Sequence, residues 1–212
     1  MIKLYVKNVD DVWFGVTFIE ERILATTFSG SQQTTLSNLL NVLPFDVAFE
    51  VLAEVSPFGE KAIALLKDAY DGKEINQDQP PLAFEYLPPY SVKVLKAVFQ
   101  IPVGYISSYA LVASAVGGGA RAVGNVMASN PFAPIIPCHR VVTSDFCLGG
   151  YGGGLDAKLE FLKRERKGYT EPKVVSVAGH QMQVFPTETV ISQLEKKCPN
   201  MLGEKTFATK SN

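Results

Sequence analysis

A chain of 212 residues with 47% hydrophobic content suits one or two compact domains. None of its apolar runs approaches the roughly 20 residues that span a bilayer, and Met1-Ile2-Lys3-Leu4-Tyr5 lacks a signal-peptide pattern. Three cysteines without framework spacing argue against a disulfide scaffold and for a reducing compartment, so a cytoplasmic location is expected, or a nuclear one in a eukaryote. The net charge of -1 hides an asymmetry: residues 1–90 carry 6 Lys and Arg against 13 Asp and Glu, whereas residues 91–170 carry 9 against 4. A basic middle beside an acidic N-terminal part points to one side of the molecule meeting a polyanion.

In chain order, residues 2–29 read as strands, with Val12 to Ile19 rich in β-branched and aromatic residues and polar turns at Asn8 to Asp11 and Glu20 to Arg22. Thr34 to Leu43 reads as a helix ending near Pro44. Ser56-Pro57 opens a second helix, which runs to Tyr70 and stops at Asp71-Gly72, with serine as N-cap and proline at the first position. Gln77 to Pro81, together with Leu87-Pro88-Pro89, reads as a linker between two domains.

Beyond it the pattern turns helical. Ser91 to Phe99 is a candidate helix. Ser107 or Ser108 can cap another over Tyr109 to Val116, Gly117-Gly118-Gly119 breaks it, and Ala120 to Ala128 forms the next before Ser129-Asn130-Pro131. Two short helices about a glycine turn describe a helix-turn-helix. Asp145 to Gly154 is glycine-rich enough for a loop or wing. Leu155 to Lys167 reads as a helix with Leu155, Leu159 and Leu162 on one face. In residues 168–212, Val174 to Val177 fits a strand and Thr187 to Lys197 a helix, and the polar last twelve residues fit disorder.

The chemistry concentrates in Asn130-Pro-Phe-Ala-Pro-Ile-Ile-Pro-Cys-His-Arg-Val-Val142. It places one of three cysteines beside one of two histidines, after a proline that stiffens the backbone and an apolar pair, Ile135-Ile136, that buries the thiol. A thiol attacks as the thiolate, and a nearby base or cation favours that form. Cys138 is therefore the candidate nucleophile. Cys147 and Cys198 lack such a setting and read as packing or surface thiols, and His180 as a surface histidine without metal-ligand spacing. Arg121 at a helix start is slightly unfavourable against the helix dipole and needs another reason to be there. The Arg121 helix offers small residues, Ala120, Ala122, Gly124 and Ala128, and only Arg121 and Asn125 as longer polar ones. That suits close approach in a minor groove better than sequence readout, although core packing also explains small residues.

This segment resembles the active-site signature of O6-alkylguanine-DNA alkyltransferases. Ile106-Ser107-Ser108-Tyr109, Ala120-Arg121-Ala122-Val123-Gly124 and Gly150-Tyr151-Gly152-Gly153-Gly154-Leu155 agree with it in order and spacing, from about Tyr90 to Lys167. The resemblance implies a mixed α/β (α+β) chain. It comprises a ribonuclease-H-like α/β domain over residues 1–89, a mainly helical winged-helix-like domain with the helix-turn-helix over residues 90–167, and an extension of unknown role over residues 168–212. It implies irreversible transfer of an alkyl group from O6 of a flipped guanine to Cys138, without a cofactor, by a monomer that takes double-stranded DNA and has no membrane partner. Cys138, a bridging water, His139 and Glu165 would form the proton relay. Tyr109 would line the guanine pocket and donate toward N3. Arg121 would replace the extruded nucleotide, with Ala120, Ala122, Gly124 and Asn125 against the DNA. Pro137, Val141, Tyr151, Gly152 and Gly153 would form the pocket, and Asn130 would link the recognition helix to the cysteine. Gly152 stands where many members carry serine. Residues 1–90 hold neither Cys nor His, so a zinc site there has no support.

Three other readings remain at this level. A non-catalytic, lesion-sensing protein of the alkyltransferase-like type would replace the cysteine, commonly with tryptophan. A Cys-His hydrolase would need an oxyanion hole and a hydrolase signature. A transcription factor would need base-reading side chains on the second helix of the motif.

Overall fold

The computed structural model describes residues 1–43, 47–75 and 79–197. Strands β1 (Ile2–Val9), β2 (Val12–Ile19) and β3 (Arg22–Ser29) form an antiparallel meander. Its two-residue turns, Asp10-Asp11 and Glu20-Glu21, both have positive φ, the conformation that matches the right-handed strand twist. Strand β4 (Phe49–Val51) adds in parallel beside β1, giving the order β3-β2-β1-β4.

Alternation along these strands gives the sheet two apolar faces. Helix α1 (Gln32–Leu40) covers one, through Leu39 against Ile2 and Leu4. Ser31 fixes its start by accepting from the Thr34 N–H, so it begins two residues before the expected Thr34 and ends at Leu40 rather than Leu43. Pro44 lies outside the described residues. The helix lies so close to β2 that a Cβ at Gly15 would sit 2.6 Å from Thr35 Cγ2. Helix α2 (Pro57–Tyr70), capped by Ser56 as expected, joins Tyr5, Phe14, Val16 and Phe18 in the core on the other side.

The expected linker is partly pinned. Ile23 N–H donates to Pro81 O and Ala83 N–H to Ile23 O, each at 2.8 Å, so this stretch runs along the outer edge of β3. Gln77 and Asp78 lie outside the described residues. Helix α3 (Pro89–Phe99) follows, then β5 (Tyr105–Ser108), α4 (Tyr109–Val116) and α5 (Ala120–Ala128). Ser108 is the cap of α4, accepting from the Leu111 N–H. A 3-10 turn over Cys138–Arg140 leads into β6 (Val141–Val142), and α6 spans Leu155–Arg164, three residues shorter than expected. The sequence pattern missed β5 and β6, which are too short to show alternation.

Residues 173–197 are integral to this half. Strands β7 (Lys173–Val177) and β8 (His180–Pro186) pair antiparallel, and β8 pairs with β5, giving a second sheet of order β6-β5-β8-β7. Helix α7 (Thr187–Lys197) packs Val190, Ile191 and Leu194 against Leu159 and Leu162 of α6. Thr187 N–H donates to Gly104 O at 2.9 Å, locking the strand-to-helix corner. The expected disorder of the last twelve residues falls outside the described part. One continuous core runs from Phe14 and Leu66 through Val98 and Ile136 to Met182 and Val184.

A paired substitution checks this placement. Met182 is 1% exposed and Val174 is 58% exposed. Met182→Ala is expected to lower the unfolding free energy by about 2–5 kcal/mol, and Val174→Ala to change it by less than about 0.5 kcal/mol, both by urea titration. Equal small effects would show the hairpin to be peripheral.

Candidate active site and nucleic-acid interface

The 3-10 turn is built so that its three side chains face inward: Cys138, His139 and Arg140 are all buried. Pro137 precedes it, and Arg140 N–H closes the turn on Pro137 O. Asn130, just past α5, donates to Ile136 O at 2.9 Å and accepts from the Phe132 N–H at 3.0 Å. The end of α5 is thereby tied to the segment that delivers the cysteine. Thr26 on β3 holds the same loop from outside, donating to Ala133 O at 2.8 Å.

His139 Nε2 lies 2.8 Å from Glu165 Oε1. Glu165 forms the C-terminal cap of α6 and is fully buried, so it is not a solvated helix carboxylate. Arg140 grips the same carboxylate with two bonds of 2.8 Å, from Nε to Oε2 and from Nη2 to Oε1, and donates from Nη1 to Ile101 O at 2.6 Å. Burial opposes ionisation of Glu165, but the charges and hydrogen bonds of His139 and Arg140 hold its carboxyl down at about 2. For His139, burial wins over the Glu165 attraction and pushes the imidazole below its ordinary value. The resting imidazole is therefore neutral, Arg140 is the standing counter-charge, and Nε2–H donates to Glu165. That leaves Nδ1 as a buried acceptor with no hydrogen-bond partner among the described residues. Phe161 stacks on the imidazole, centroids 4.7 Å apart and planes at 21°, which fixes the ring plane.

Burial also pushes the Cys138 thiol up, against the opposing Asn130 hydrogen bond and Lys158 charge. The thiol is thus the resting form at neutral pH. Lys158 is the residue that the sequence reading missed. It is fully buried on α6, and its ammonium donates to Val141 O at 2.6 Å and Gly150 O at 3.3 Å. Burial brings it down to about 8, with the developing Cys138 charge pulling the other way. Its signal was helical spacing. The inward stripe of α6 is Lys158, Leu159, Phe161, Leu162 and Glu165, whereas Leu155, expected on that stripe, is 41% exposed.

Above Cys138 opens a cavity of about 510 Å³, lined by Tyr109, Tyr151, Gly150, Gly152 and the α5 residues Ala120 and Gly124. Tyr109 OH donates to Gly150 O at 3.3 Å, and burial raises both tyrosine pKa values. A Cβ at Gly153 would come within 3.0 Å of the Tyr151 ring, so Gly153 lets that ring lie flat. A Cβ at Gly152 would meet nothing within 4 Å, so a serine there would fit without displacing anything. The Val141 carbonyl already accepts from Lys158, which leaves one lone pair for a ligand. Cys147 is half-buried, with its thiol donating to Asp145 Oδ2 at 3.3 Å, and Cys198 lies outside the described residues.

Helix α5 buries Val123, Val126 and Met127 and turns Ala120, Arg121, Asn125 and Ala128 outward. Ala122 and Gly124 are half-buried, and a Cβ at Gly124 would meet nothing within 4 Å. Core packing therefore does not account for the glycine. The result is a low, smooth outer face beside the cavity mouth, with Arg121 as its raised cation. Gly118 at φ +94 turns the chain between α4 and α5, and any Cβ there would strike Tyr90 Oη at 2.6 Å.

The shared carboxylate sets an acid response. Its pKa falls from an ordinary 4.5 to about 2 on folding, so its stabilisation is complete above about pH 4.5 and is lost as pH falls toward 2. Glu165→Gln leaves Arg140 buried and unpaired and is expected to cost about 3–5 kcal/mol at neutral pH. The gap to wild type should narrow through that acid window in urea titrations. A pH-independent gap would refute the assignment.

Residues 89–167 match the family model described as the DNA binding domain of 6-O-methylguanine DNA methyltransferase. A methylated-DNA–protein-cysteine methyltransferase of Pyrobaculum aerophilum is 49% identical over 73 residues, covering 34% of this chain and 49% of that protein. Its counterpart from Methanothermobacter thermautotrophicus is 37% identical over 106 residues, covering 50% and 60%. The matches thus span about half of the length of these relatives. The crystal structure of O6-methylguanine-DNA methyltransferase from Pyrococcus kodakaraensis superposes with a TM-score of 0.60 at 27% identity, over 78% of this chain and 99% of that one. The buried Cys138-His139-Arg140 turn, at the floor of a cavity that opens beside α5, thus lies within residues 89–167, the part of this chain that is similar to the DNA-binding domain of the 6-O-methylguanine DNA methyltransferases.

Proposed function

We propose that this chain repairs DNA by moving an alkyl group from O6 of guanine to the sulfur of Cys138, once per molecule. The observation that carries the reading is a buried thiol at the floor of a cavity whose mouth adjoins the smooth, arginine-bearing face of α5. A base inside a duplex is out of reach of such a thiol, so the guanine has to be turned out of the stack into the cavity. Arg121 fills the gap, and Ala120, Ala122, Gly124 and Asn125 lie along the minor groove. Pro137, Val141, Tyr151, Gly152 and Gly153 surround the base.

The chemistry then follows from the resting protonation states. Cys138 carries its proton, and His139 Nδ1 is the unoccupied acceptor of a neutral ring. The proton passes from sulfur to Nδ1 through a bridging water, while Glu165 stabilises the imidazolium and Arg140 keeps Glu165 ionised. Lys158 stabilises the thiolate. Sulfur attacks the alkyl carbon, the C–O6 bond breaks with its electron pair left on guanine, and Tyr109 donates toward N3. The guanine anion takes up a proton from solvent water while the imidazolium gives the thiol's proton back through the bridging water, and a thioether remains on Cys138. No cofactor enters this scheme. The partner is double-stranded DNA carrying O6-alkylguanine, the chain acts as a cytoplasmic monomer, and no membrane is involved. In this reading residues 1–89 form a ribonuclease-H-like domain, residues 90–167 a winged-helix-like one, and residues 168–212 an extension.

Two experiments test it. Label from an oligonucleotide bearing O6-methylguanine is expected on the Cys138 peptide at one per protein and no more, with Cys138→Ala unable to accept label yet still binding duplex. Continued turnover would rule out the self-alkylating mechanism. Arg121→Ala is expected to slow repair of duplex by one to two orders of magnitude, roughly the few kcal/mol of base extrusion, while leaving reaction with free O6-benzylguanine near wild type. Equal losses on both substrates would make Arg121 a structural residue.

A further inference from the structure

The helix-turn-helix has a second cavity at its other end. Helix α4 runs from Tyr109, which lines the Cys138 cavity, to Val116, which lines a groove of the same volume, about 510 Å³. Seven helical steps put Tyr109 and Val116 about 10 Å apart along α4. One wall of the groove is α3, through Lys93, Lys96 and Gln100, and the other is the tip of the β7–β8 hairpin, through Ser176 and His180. Spacings of three and four put the α3 residues on one face. Tyr90, one turn earlier, donates its hydroxyl to Gly117 O at 3.2 Å, inside the turn between α4 and α5. The basic stripe therefore begins at the helix-turn-helix and leads away from it.

The lining is one-sided in charge. It holds two lysines, a histidine, a glutamine and a serine, and none of its described members is acidic. Lys93, Lys96 and His180 are exposed. The Lys96 ammonium lies 5.5 Å over the Phe84 ring, so its stem is held on the protein while the charge stays in reach of solvent. Lysines supply the field that attracts phosphate, and the glutamine amide and serine hydroxyl supply neutral donors of the kind that fix backbone register. Four of the ten lining residues, Ser176, Val177, Ala178 and His180, lie beyond the 89–167 match to the DNA-binding domain family.

We propose that this groove is a second seat for the sugar-phosphate backbone of duplex DNA, contributed by α3 and the C-terminal hairpin. It lengthens the footprint of the helix-turn-helix along the strand that leaves the lesion. The proposal rests on the reading of this chain as a duplex-DNA binder, and its test is independent of alkyl transfer.

The test uses the full chain and an undamaged duplex, with affinity read by fluorescence anisotropy over a salt series. Lys93→Gln/Lys96→Gln is expected to reduce the slope of log affinity against log salt by about 1.8, from about 0.9 per phosphate contact. The same variant should react with free O6-benzylguanine at the wild-type rate, which shows that the fold is intact. On a duplex trimmed to end at the helix-turn-helix, the difference between variant and wild type should vanish. An unchanged slope on the long duplex overturns the proposal, as does an equal loss on the trimmed one. Binding of a polyglutamate peptide that depends on both lysines, with duplex affinity unaltered, would assign the groove to an acidic protein segment instead. A wild-type chain that keeps the slope difference but accepts no alkyl group would sink the proposed chemistry and leave the groove standing.

Discussion

Everything at the candidate site depends on one buried carboxylate with two claimants. Glu165 accepts from His139 on one oxygen and from Arg140 on both, and Arg140 passes the connection to Ile101 O. Three segments distant in sequence, the loop after α3, the 3-10 turn and the end of α6, are fixed by it. A buried ion pair contributes little net stability against an apolar replacement, because desolvation consumes most of the attraction. What it does contribute here is definition. With Arg140 holding the carboxylate ionised, His139 needs no charge to be oriented, and its tautomer follows from the Nε2–H bond.

That division separates orientation from titration. If Glu165 had only His139 to pair with, burial of both would favour shuttling a proton between them. Arg140 removes that freedom and leaves Nδ1 as the acceptor. The same economy applies to the thiol. Burial disfavours a standing thiolate on Cys138, and the nearby Lys158 ammonium, itself brought down to about 8, lowers that cost only partly. A neutral thiol at rest is protected from indiscriminate alkylation, since the thiolate is the nucleophile.

The two sheets serve this turn from either side. The first holds the loop before Cys138 through Thr26 and sends Phe28 edge-on to Phe161, where Tyr70 at the end of α2 joins it, and Phe161 in turn stacks on the imidazole. The second runs β5 directly into α4, so that Tyr109 starts its helix at a fixed depth beside the cysteine. The C-terminal hairpin and α7 complete that sheet and cover α6. Tyr109, Cys138 and Lys158 thus stand on three elements that one core holds in register.

Much of this was legible in the residues. The buried Cys138-His139 pair, the α4-glycine-α5 unit and the helices after Ser56 and Thr187 carry local signals: a stiffening proline, caps, turn glycines and an outward row of small residues. These act within a few positions, so sequence alone determined them. Glu165 as partner of His139 came only from the resemblance, because a separation of 26 residues carries no local sign of the contact. Lys158 was missed because a lysine reads as solvated, although its spacing to Leu162 and Glu165 puts it on the inward stripe of α6, and the packing of α6 over the 3-10 turn is what buries it. Strands β5 and β6 are too short for alternation to show, and β8 takes its place by pairing with β5 some 80 residues away. Local chemistry fixes where the chain turns and caps. Which faces meet, and therefore which charges lose their water, is a property of the assembled core, and the resting states of Cys138, His139 and Lys158 were decided there.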